Sequence, residues 1–460
     1  MLPPPTVRLV LSLALPVLAQ QGLHLVVSMS DSIIAGHLAE KGVAILQSAQ
    51  TTTHYLAWAI SSYTVLVTVG STALVSRFIG AKDTDLARAV THQSLILALL
   101  FAGIATAFGL AGGIRLLVRV LQLKGDAAEY ATAYLNIQIG LLVFQVVESA
   151  AIACLIGAGD TRTGLYVMMA VAIVNVPLAW CFAFGFGPIP ALGFIGIALG
   201  TGLAHVIGCL AVLVVMTYGG HELQLEARLA KPRLDLIRRL LRVSLPAGAD
   251  SLSVVVGQFW FLGIVNQLGD TASAAHGIAL RWEALGYLSG HAFGVAAMTM
   301  VGQNLGAHRP DLARRGAWLA YALGGSLMTA MGLLFYLAAP AMFLLNTRAR
   351  PVIDAGVPVL RLVAFAMPAL ASTIIFTSSL RGAGDTRVPV LFTWTGFFVV
   401  RIPLAYYLTR ETIDFGAWGS LQGLGLGLYG AWLAMAADIV VRGGFFLFRF
   451  VQGHWRHAKV

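Results

Sequence analysis

Ionisable side chains are rare within the long apolar segments of this sequence, so the few that occur there are the first candidates for chemistry. Asp31 lies in the first segment, and Gln21, His24 and Ser28 precede it at intervals of three or four residues. This spacing places all four side chains on one face of a helix. Desolvation of a buried carboxyl group favours its neutral form, so Asp31 could take up and release a proton near neutral pH and serve as a coupling site. An acid near the outer end of its helix could instead be only hydrated.

Two further polar residues of the first half fall in apolar segments. Glu148 is a second acid at membrane depth, and packing alone gives no reason for it. Asn175 stands two residues before Pro177, and its neutral amide can both donate and accept hydrogen bonds. Asn175 could therefore hold Asp31 in either protonation state, or it could form only a hydrogen bond between two helices.

The second half carries different ionisable residues. Asp250 lies in its first apolar segment, and Glu283 lies two residues after Arg281, whose charge it could neutralise. Asp250 and Glu283 are candidates for a cavity or a second coupling site, although they could also only brace the structure. Asp438 and Arg442 are four residues apart, which is the spacing of an ion pair within one helix.

An internal repeat indicates which elements position these residues. Gly-Ala-Gly-Asp-Thr-Arg occurs at residues 157–162 and again, letter for letter, at 382–387. Three weaker matches occur in the same order and at nearly the same separation, namely 15–16 with 245–246, 80–88 with 306–314, and 174–179 with 400–405. The chain is therefore a duplicated half-molecule. In this alignment the position of Asp31 corresponds to Phe261.

Composition indicates that these elements are membrane helices. Hydrophobic residues make up 58% of the chain, charged residues make up 11%, and the mean hydropathy is +0.82, whereas a soluble domain carries about 25% charged residues. Segments long enough to span a bilayer occur near residues 9–33, 46–76, 92–121, 131–156, 164–187, 193–217, 241–266, 273–301, 316–345, 355–380, 388–409 and 427–449. The predicted fold is an all-α integral membrane protein with twelve transmembrane helices in two pseudo-symmetric six-helix bundles.

The repeat and the loops predict the domain organisation and the orientation. We expect an N-lobe at 1–217 with helices 1–6, a charged cytoplasmic connector at 218–240 and a C-lobe at 241–460 with helices 7–12. The net charge is +10, and most Lys and Arg residues fall in loops on one side of the predicted helices. The positive-inside rule places that side, with both termini, in the cytoplasm. The basic excess thus indicates topology and gives no reason to expect a nucleic-acid partner. As the location we expect a bacterial inner membrane.

The motifs that are absent narrow the function. The sequence has no GxxxxGK[ST] phosphate loop, no HExxH, no GxSxG and no acidic cluster with metal-ligand spacing. Its three cysteines fall singly in different segments. We therefore expect no enzyme activity, no metal and no cofactor. Parallel repeats of this kind place a substrate site between them near the midplane of the membrane, which favours a secondary transporter.

The residues themselves resemble the multidrug and toxic compound extrusion (MATE) family. The resemblance rests on the doubled hexapeptide, on Asp-Ser-Ile-Ile-Ala-Gly-His-Leu at 31–38, on the Gly-Ala pairs at 80 and 306, and on Leu-Pro-Ala-Gly-Ala-Asp at 245–250. It implies two bundles facing each other in a V that export cationic or amphipathic organic compounds in exchange for H⁺ or Na⁺. It also implies that Asp31 is the cation-coupling carboxylate, with Na⁺ possible there, that Asn175 is its partner, and that Pro16 is a hinge where helix 1 bends on protonation.

The sequence also departs from that family pattern. Ala179 stands where proton-coupled members often have a second Asp, and Val254 stands where Na⁺-coupled members often have a Glu. We favour H⁺ over Na⁺, with small-molecule substrates, the lipid bilayer as surroundings, and a monomer. The alternative is a flippase of the same broad superfamily that moves a lipid-linked saccharide. A flippase needs basic residues for the pyrophosphate, and the candidates in the apolar segments are Arg281, Arg361, Arg401 and Arg442.

Overall fold

A computed structural model describes residues 2–38, 43–120, 125–220, 222–229, 231–414 and 419–458, without the side chains of 43–57, 59–61, 120 and 227. Within these ranges the α-helices are α1 (Val7–His37), α2 (Val43–Gly80), α3 (Thr84–Phe108), α4 (Ile114–Val120), α5 (Gly125–Ala158), α6 (Arg162–Phe184), α7 (Phe194–Tyr218), α8 (Leu234–Asn266), α9 (Asp270–Gly306), α10 (Pro310–Leu344), α11 (Arg350–Ala383), α12 (Arg387–Trp394), α13 (Ile402–Thr409) and α14 (Gly427–Gln452). Two short strands, β1 (Thr412–Asp414) and β2 (Ser420–Gln422), pair in antiparallel fashion between α13 and α14.

Among the described residues, twelve helical segments are long and apolar enough to cross a membrane, and they confirm the twelve predicted spans. Ten of them lie within single helices. The other two are interrupted by a π-helical turn, at Gly109–Gly113 between α3 and α4 and at Thr395–Arg401 between α12 and α13. A bilayer core requires about 20 residues of helix, so the chain is a multi-pass membrane protein, as the composition predicts.

The repeated hexapeptide is a corner between two helices. Gly159 and Gly384 have φ values of +95° and +88°, a region that favours glycine and that commonly ends helices. They stop α5 and α11 within one residue of Ala158 and Ala383. In the first copy, Asp160 Oδ1 then accepts hydrogen bonds from the backbone N–H groups of the next helix, which caps α6.

The first glycine of each hexapeptide allows close helix packing. A Cβ atom at Gly157 would lie 2.8 Å from the backbone oxygen of Thr72 in α2, and one at Gly382 would overlap the backbone oxygen of Met298 in α9. Only glycine permits this approach. The hexapeptide therefore has a structural explanation and does not itself mark a binding site.

The helices form two compact units. The first comprises Leu15–Ser244, and the second comprises Leu2–Ala14 together with Leu245–Val460. In the first unit α5 packs against α2, α3 and α7, and α6 packs against α7. In the second unit α11 packs in the same way against α9, α10 and α14. The repeated packing scheme matches the sequence repeat.

The unit limits differ from the predicted lobes at two helices. The start of α1, with Leu9 and Val10, belongs to the hydrophobic core of the second unit, while the start of α8 belongs to the first unit. In both helices the change of unit falls just before a proline, Pro16 in α1 and Pro246 in α8. Each proline lacks the N–H that would continue the helical hydrogen bonds, yet α1 and α8 are helical throughout. The predicted lobe boundaries remain a prediction.

Candidate functional site

Three polar side chains from three helices meet in the first unit. The hydroxyl of Thr201 in α7 donates a hydrogen bond of 2.9 Å to Asp31 Oδ2 in α1. The amide nitrogen of Asn175 in α6 donates a hydrogen bond of 2.9 Å to Thr201 Oγ1. Asp31 is 5% exposed and Asn175 is fully buried. The structure thus brings together Asp31 and Asn175, the two residues predicted to form the coupling site, and joins them through Thr201.

Apolar packing holds these three helices together. Val27 of α1 belongs to a buried cluster with Met168 and Val171 of α6 and Ala204 of α7. At Gly200, one residue before Thr201, a Cβ atom would come within 2.6 Å of the α-carbon of Ala179. The absence of a side chain at Gly200 lets α7 approach α6 closely. This approach brings the hydroxyl of Thr201 within reach of Asn175.

Two oxygen atoms of this cluster have no hydrogen-bond partner in the described part of the chain. They are Asp31 Oδ1 and Asn175 Oδ1, and both are buried. Thr201, which donates to Asp31, is neutral, and no Lys or Arg of the described chain forms an ion pair with Asp31. A buried carboxylate without a countercharge is costly. The arrangement is therefore suited to accept a proton or a small cation at Asp31 Oδ1.

Glu148, the other acidic candidate of the first half, lies beside this cluster. A hydrogen bond of 2.8 Å joins Glu148 Oε2 in α5 to Nδ1 of His205 in α7, and both residues are buried. His205 stands one helical turn after Thr201. Glu148 therefore belongs to the same polar region as Asp31, although it does not contact Asp31.

The second unit has a different polar centre at the positions that correspond to this site. Arg401, in the position of Asn175, donates from Nε to Asp438 Oδ2 at 2.8 Å. Its guanidinium lies 5.5 Å from the ring centre of Phe261, which stands in the position of Asp31. The second unit therefore carries a permanent cation where the first unit has an uncompensated carboxylate.

Both halves of the chain match the profile of a known protein family. The MatE family profile matches residues 16–181 and 246–407, which together make up more than half of the chain. The chain belongs to the MatE family. Membership confirms the predicted resemblance to multidrug and toxic compound extrusion proteins, which are a family of transporters. The two matched segments begin at Pro16 and Pro246, within a residue or two of the unit limits.

Individual members of the family are similar over nearly the whole length. The chain is 25% identical over 459 residues to the "Probable multidrug resistance protein NorM" of Thermotoga maritima, covering 98% of this chain and 93% of that protein. Among solved structures, a transporter of the MOP superfamily from Pyrococcus furiosus aligns with a TM-score of 0.88 at 20% identity, covering 98% and 97% of the two chains. A MATE structure in the bent conformation aligns with a TM-score of 0.86 at 21% identity, covering 97% and 95%. At these identities the structures show a shared fold.

Asp250 is paired in this MatE family member. Arg381 donates from a terminal guanidinium nitrogen to Asp250 Oδ2 at 2.6 Å. The carboxylate of Asp250 is thus neutralised by a residue at the end of α11, immediately before the second hexapeptide. This pairing favours the bracing role that the sequence left open.

Glu283 is buried, and its charge interacts with those of Arg401 and Arg442. Arg281, two residues earlier, is exposed. Residues two apart on a helix point to different sides, so the two side chains do not face each other. The described residues form no ion pair between Glu283 and Arg281. Glu283 therefore faces the polar centre of the second unit, and its predicted role in coupling remains a prediction.

Sequence reasoning missed Thr201 and His205. Both lie in an apolar segment, four residues apart, so they share one face of α7. That spacing was the available signal. The predicted ion pair of Asp438 with Arg442 is present at 2.6 Å, but its third member, Arg401, comes from another helix and was not assigned a partner.

Proposed function

We propose that this protein is a secondary active antiporter that exports cationic or amphipathic organic compounds in exchange for protons. Asp31 is the coupling carboxylate in this proposal, and Thr201 and Asn175 orient it. The observation that carries the proposal is the buried Asp31 carboxylate. Among the described residues it accepts a hydrogen bond from the neutral Thr201, and its Oδ1 has no partner. Such a group needs a mobile positive charge to become stable in an apolar interior.

The contrast between the two units supports this assignment. In the second unit Asp250 and Asp438 are each neutralised by arginine, which stays charged and cannot leave. Asp31 has no such partner among the described residues, so its charge can change during a cycle. A proton needs one lone pair, which Asp31 Oδ1 supplies, and this favours H⁺. Na⁺ would require further oxygen ligands, of which Asn175 Oδ1 is the candidate at this site.

The proposed cycle uses the neutral and charged states of Asp31 in turn. Protonation removes a costly buried charge and changes the interactions of α1 in the first unit. Pro16 lacks a backbone donor, so α1 can bend there at a smaller cost than elsewhere. A ligand that binds one of these two states better shifts the equilibrium between them. The name of the Thermotoga maritima relative, a probable multidrug resistance protein, supports drugs as the exported compounds. We place the protein in a bacterial inner membrane, with both termini in the cytoplasm.

The flippase alternative receives no support from the arginine residues that it would need. Arg401 and Arg442 both bind Asp438. Arg361 lies 5.7 Å from the ring centre of Tyr336, and its side chain is exposed. None of these forms a cluster of free cations for a pyrophosphate.

The test is ethidium efflux from proteoliposomes with a pH gradient and a Na⁺ gradient imposed separately. The variants are wild type, Asp31→Asn, and Asp354→Asn as a control, since Asp354 is exposed at the start of α11. We expect the pH gradient alone to drive efflux in wild type and in the control, and Asp31→Asn to abolish it while remaining folded. Efflux driven only by the Na⁺ gradient would show that Na⁺, and not H⁺, is the coupling ion. If neither gradient moved ethidium through folded wild type, the export proposal would be wrong.

A further inference from the structure

Glu148 and His205 form a buried acid–base pair that the proposed role of Asp31 does not use. Their contact of 2.8 Å lies inside the first unit, where Glu148 is 4% exposed and His205 is 9% exposed. The free ring nitrogen of His205, Nε2, has no partner among the described residues. A Cβ atom at Gly208, almost one turn further along α7, would come within 2.8 Å of Glu148 Oε1. The glycine leaves the space that the carboxyl group occupies.

The choice of histidine distinguishes this pair from the other buried acids of the chain. Asp250 and Asp438 pair with arginine, which holds its proton permanently. An arginine on α7 would have given Glu148 a fixed countercharge. Histidine instead can exist with or without a positive charge at physiological pH. The Glu148–His205 pair can therefore change its net charge by one proton.

The pair lies within electrostatic reach of the coupling carboxylate. His205 stands one turn after Thr201, whose hydroxyl donates to Asp31, and His24 stands two turns before Asp31 on α1. α6 contributes the neutral Asn175 to this region. The titratable groups that face Asp31 and the pair, from the helices packed around them and among the described side chains, are His24, Tyr134 and Cys209. A change of charge on the pair is thus felt at Asp31.

We propose that Glu148 and His205 form a second proton-carrying site of the first unit, which works together with Asp31 in each transport cycle. This inference rests on the proposed function. His205 carries a proton on each ring nitrogen in the loaded state, beside ionised Glu148. In the released state the Nε2 proton has passed to water, His205 is neutral, and Nδ1–H still donates to Glu148. Each cycle then moves one proton at the pair and one at Asp31.

The test counts protons released when a permanently charged organic cation binds. Wild type and variants in lipid nanodiscs are titrated with tetraphenylphosphonium in weakly buffered solution, and the pH change is measured between about pH 6 and pH 8. The variants are Asp31→Asn, the double variant Glu148→Gln with His205→Gln, and His37→Gln. His37 is an exposed histidine on α1 that binds only the backbone of its own helix, so it controls for the loss of a histidine.

We expect Asp31→Asn and the double variant each to release about half as many protons per bound cation as wild type. The His37→Gln variant should match wild type. If Asp31→Asn binds the cation but releases no protons, or the double variant matches wild type, the second site does not exist and the proposed function stands. If wild type binds the cation and releases none, proton coupling itself is wrong.

A second measurement does not depend on the folding of the double variant. Wild type labelled with ¹⁵N-histidine is examined by nuclear magnetic resonance, and the His205 signal is assigned by the single change His205→Gln. Addition of tetraphenylphosphonium should convert His205 from the charged to the neutral ring. A His205 signal that stays the same with and without the cation over this pH range would overturn the proposal.

Discussion

The hydroxyl of Thr201 can be removed almost without changing the shape of the side chain. In Thr201→Val, Asp31 loses its hydrogen-bond donor and Asn175 loses the acceptor for its amide nitrogen. A hydrogen bond to a charged group contributes about 1.5 to 3 kcal/mol and a neutral one about 1 kcal/mol. We therefore expect the first unit to lose between about 2.5 and 4 kcal/mol, which corresponds to a change of roughly 70-fold to 900-fold in its opening equilibrium.

The cysteines make this loss measurable in the first unit. All three of them lie there, and Cys154 in α5 is fully buried. With Cys181 and Cys209 replaced by alanine, the rate at which a thiol reagent labels Cys154 reports the opening of the unit, provided that reclosing is faster than labelling. Thr201→Val should raise this rate by the factor given above, and Thr201→Ser should restore most of the protection.

Thr217 provides a matched control on the same helix. Its hydroxyl donates only to the backbone oxygen of Leu213, at 2.7 Å. Thr217→Val should therefore change the labelling rate of Cys154 by less than about threefold. If Thr201→Val also stayed within threefold, the hydrogen-bond chain through Thr201 would not stabilise the unit and our account of the site would be wrong.

Two further predictions concern the second unit, and both are measured as thermal unfolding of the purified protein. Gly382→Ala places a methyl group against the backbone oxygen of Met298 and should cost about 1 to 3 kcal/mol of stability. The control Gly444→Ala, with open space around it, should be neutral or slightly stabilising. Equal unfolding temperatures of the two variants would contradict this prediction. Arg401→Met leaves buried Asp438 with one guanidinium partner instead of two and should cost about 1.5 to 3 kcal/mol, the contribution of a hydrogen bond to a charged group. Arg401→Lys should recover only part, because lysine lacks the planar fork, and full recovery would show that charge alone matters.

The fold could be predicted from the sequence because its signals are local or duplicated. Segment length and hydropathy suffice to place the twelve spans, since an apolar helix in a bilayer satisfies its own backbone. The repeat predicts two halves that pack alike. The first turns of α1 belong to the second unit, and those of α8 belong to the first unit. The sequence could not predict this assignment, because it depends on which hydrophobic core those turns pack against.

The candidate site could be predicted only in part, for a specific reason. Asp31 and Asn175 are conspicuous because polar groups are costly in apolar helices. A threonine is not, because its hydroxyl can bond to the backbone of its own helix, as that of Thr217 does. Only the structure reveals that Thr201 donates to another helix instead. Arg401 illustrates the same limit, since its spacing from Asp438 in sequence carries no information about their distance.

The connector after α7 offers a prediction about pH. His92 in α3 has both ring nitrogens engaged, Nδ1 with the backbone oxygen of Arg88 at 2.8 Å and Nε2 with the backbone N–H of Glu226 at 3.0 Å. A nitrogen that accepts from an N–H is unprotonated, so the ring is neutral with its proton on Nδ1. A side chain without this acceptor would leave the backbone N–H of Glu226 unbonded at this point.

The carboxylate of Glu226 should keep its charge as the pH falls below the ordinary range of a glutamate. Its hydrogen bond from Arg228 is the main cause that lowers the pKa of Glu226 from its ordinary value, and Arg88 adds to the effect. A lowered pKa means that this contribution is complete above the ordinary range of a glutamate and is lost only as the pH falls through the lowered value. We expect hydrogen exchange of the Glu226 amide at neutral pH to be slow in wild type and faster in His92→Phe, because the amide then loses its acceptor. A His92→Phe amide as protected as that of wild type would show that this bond does not hold the connector.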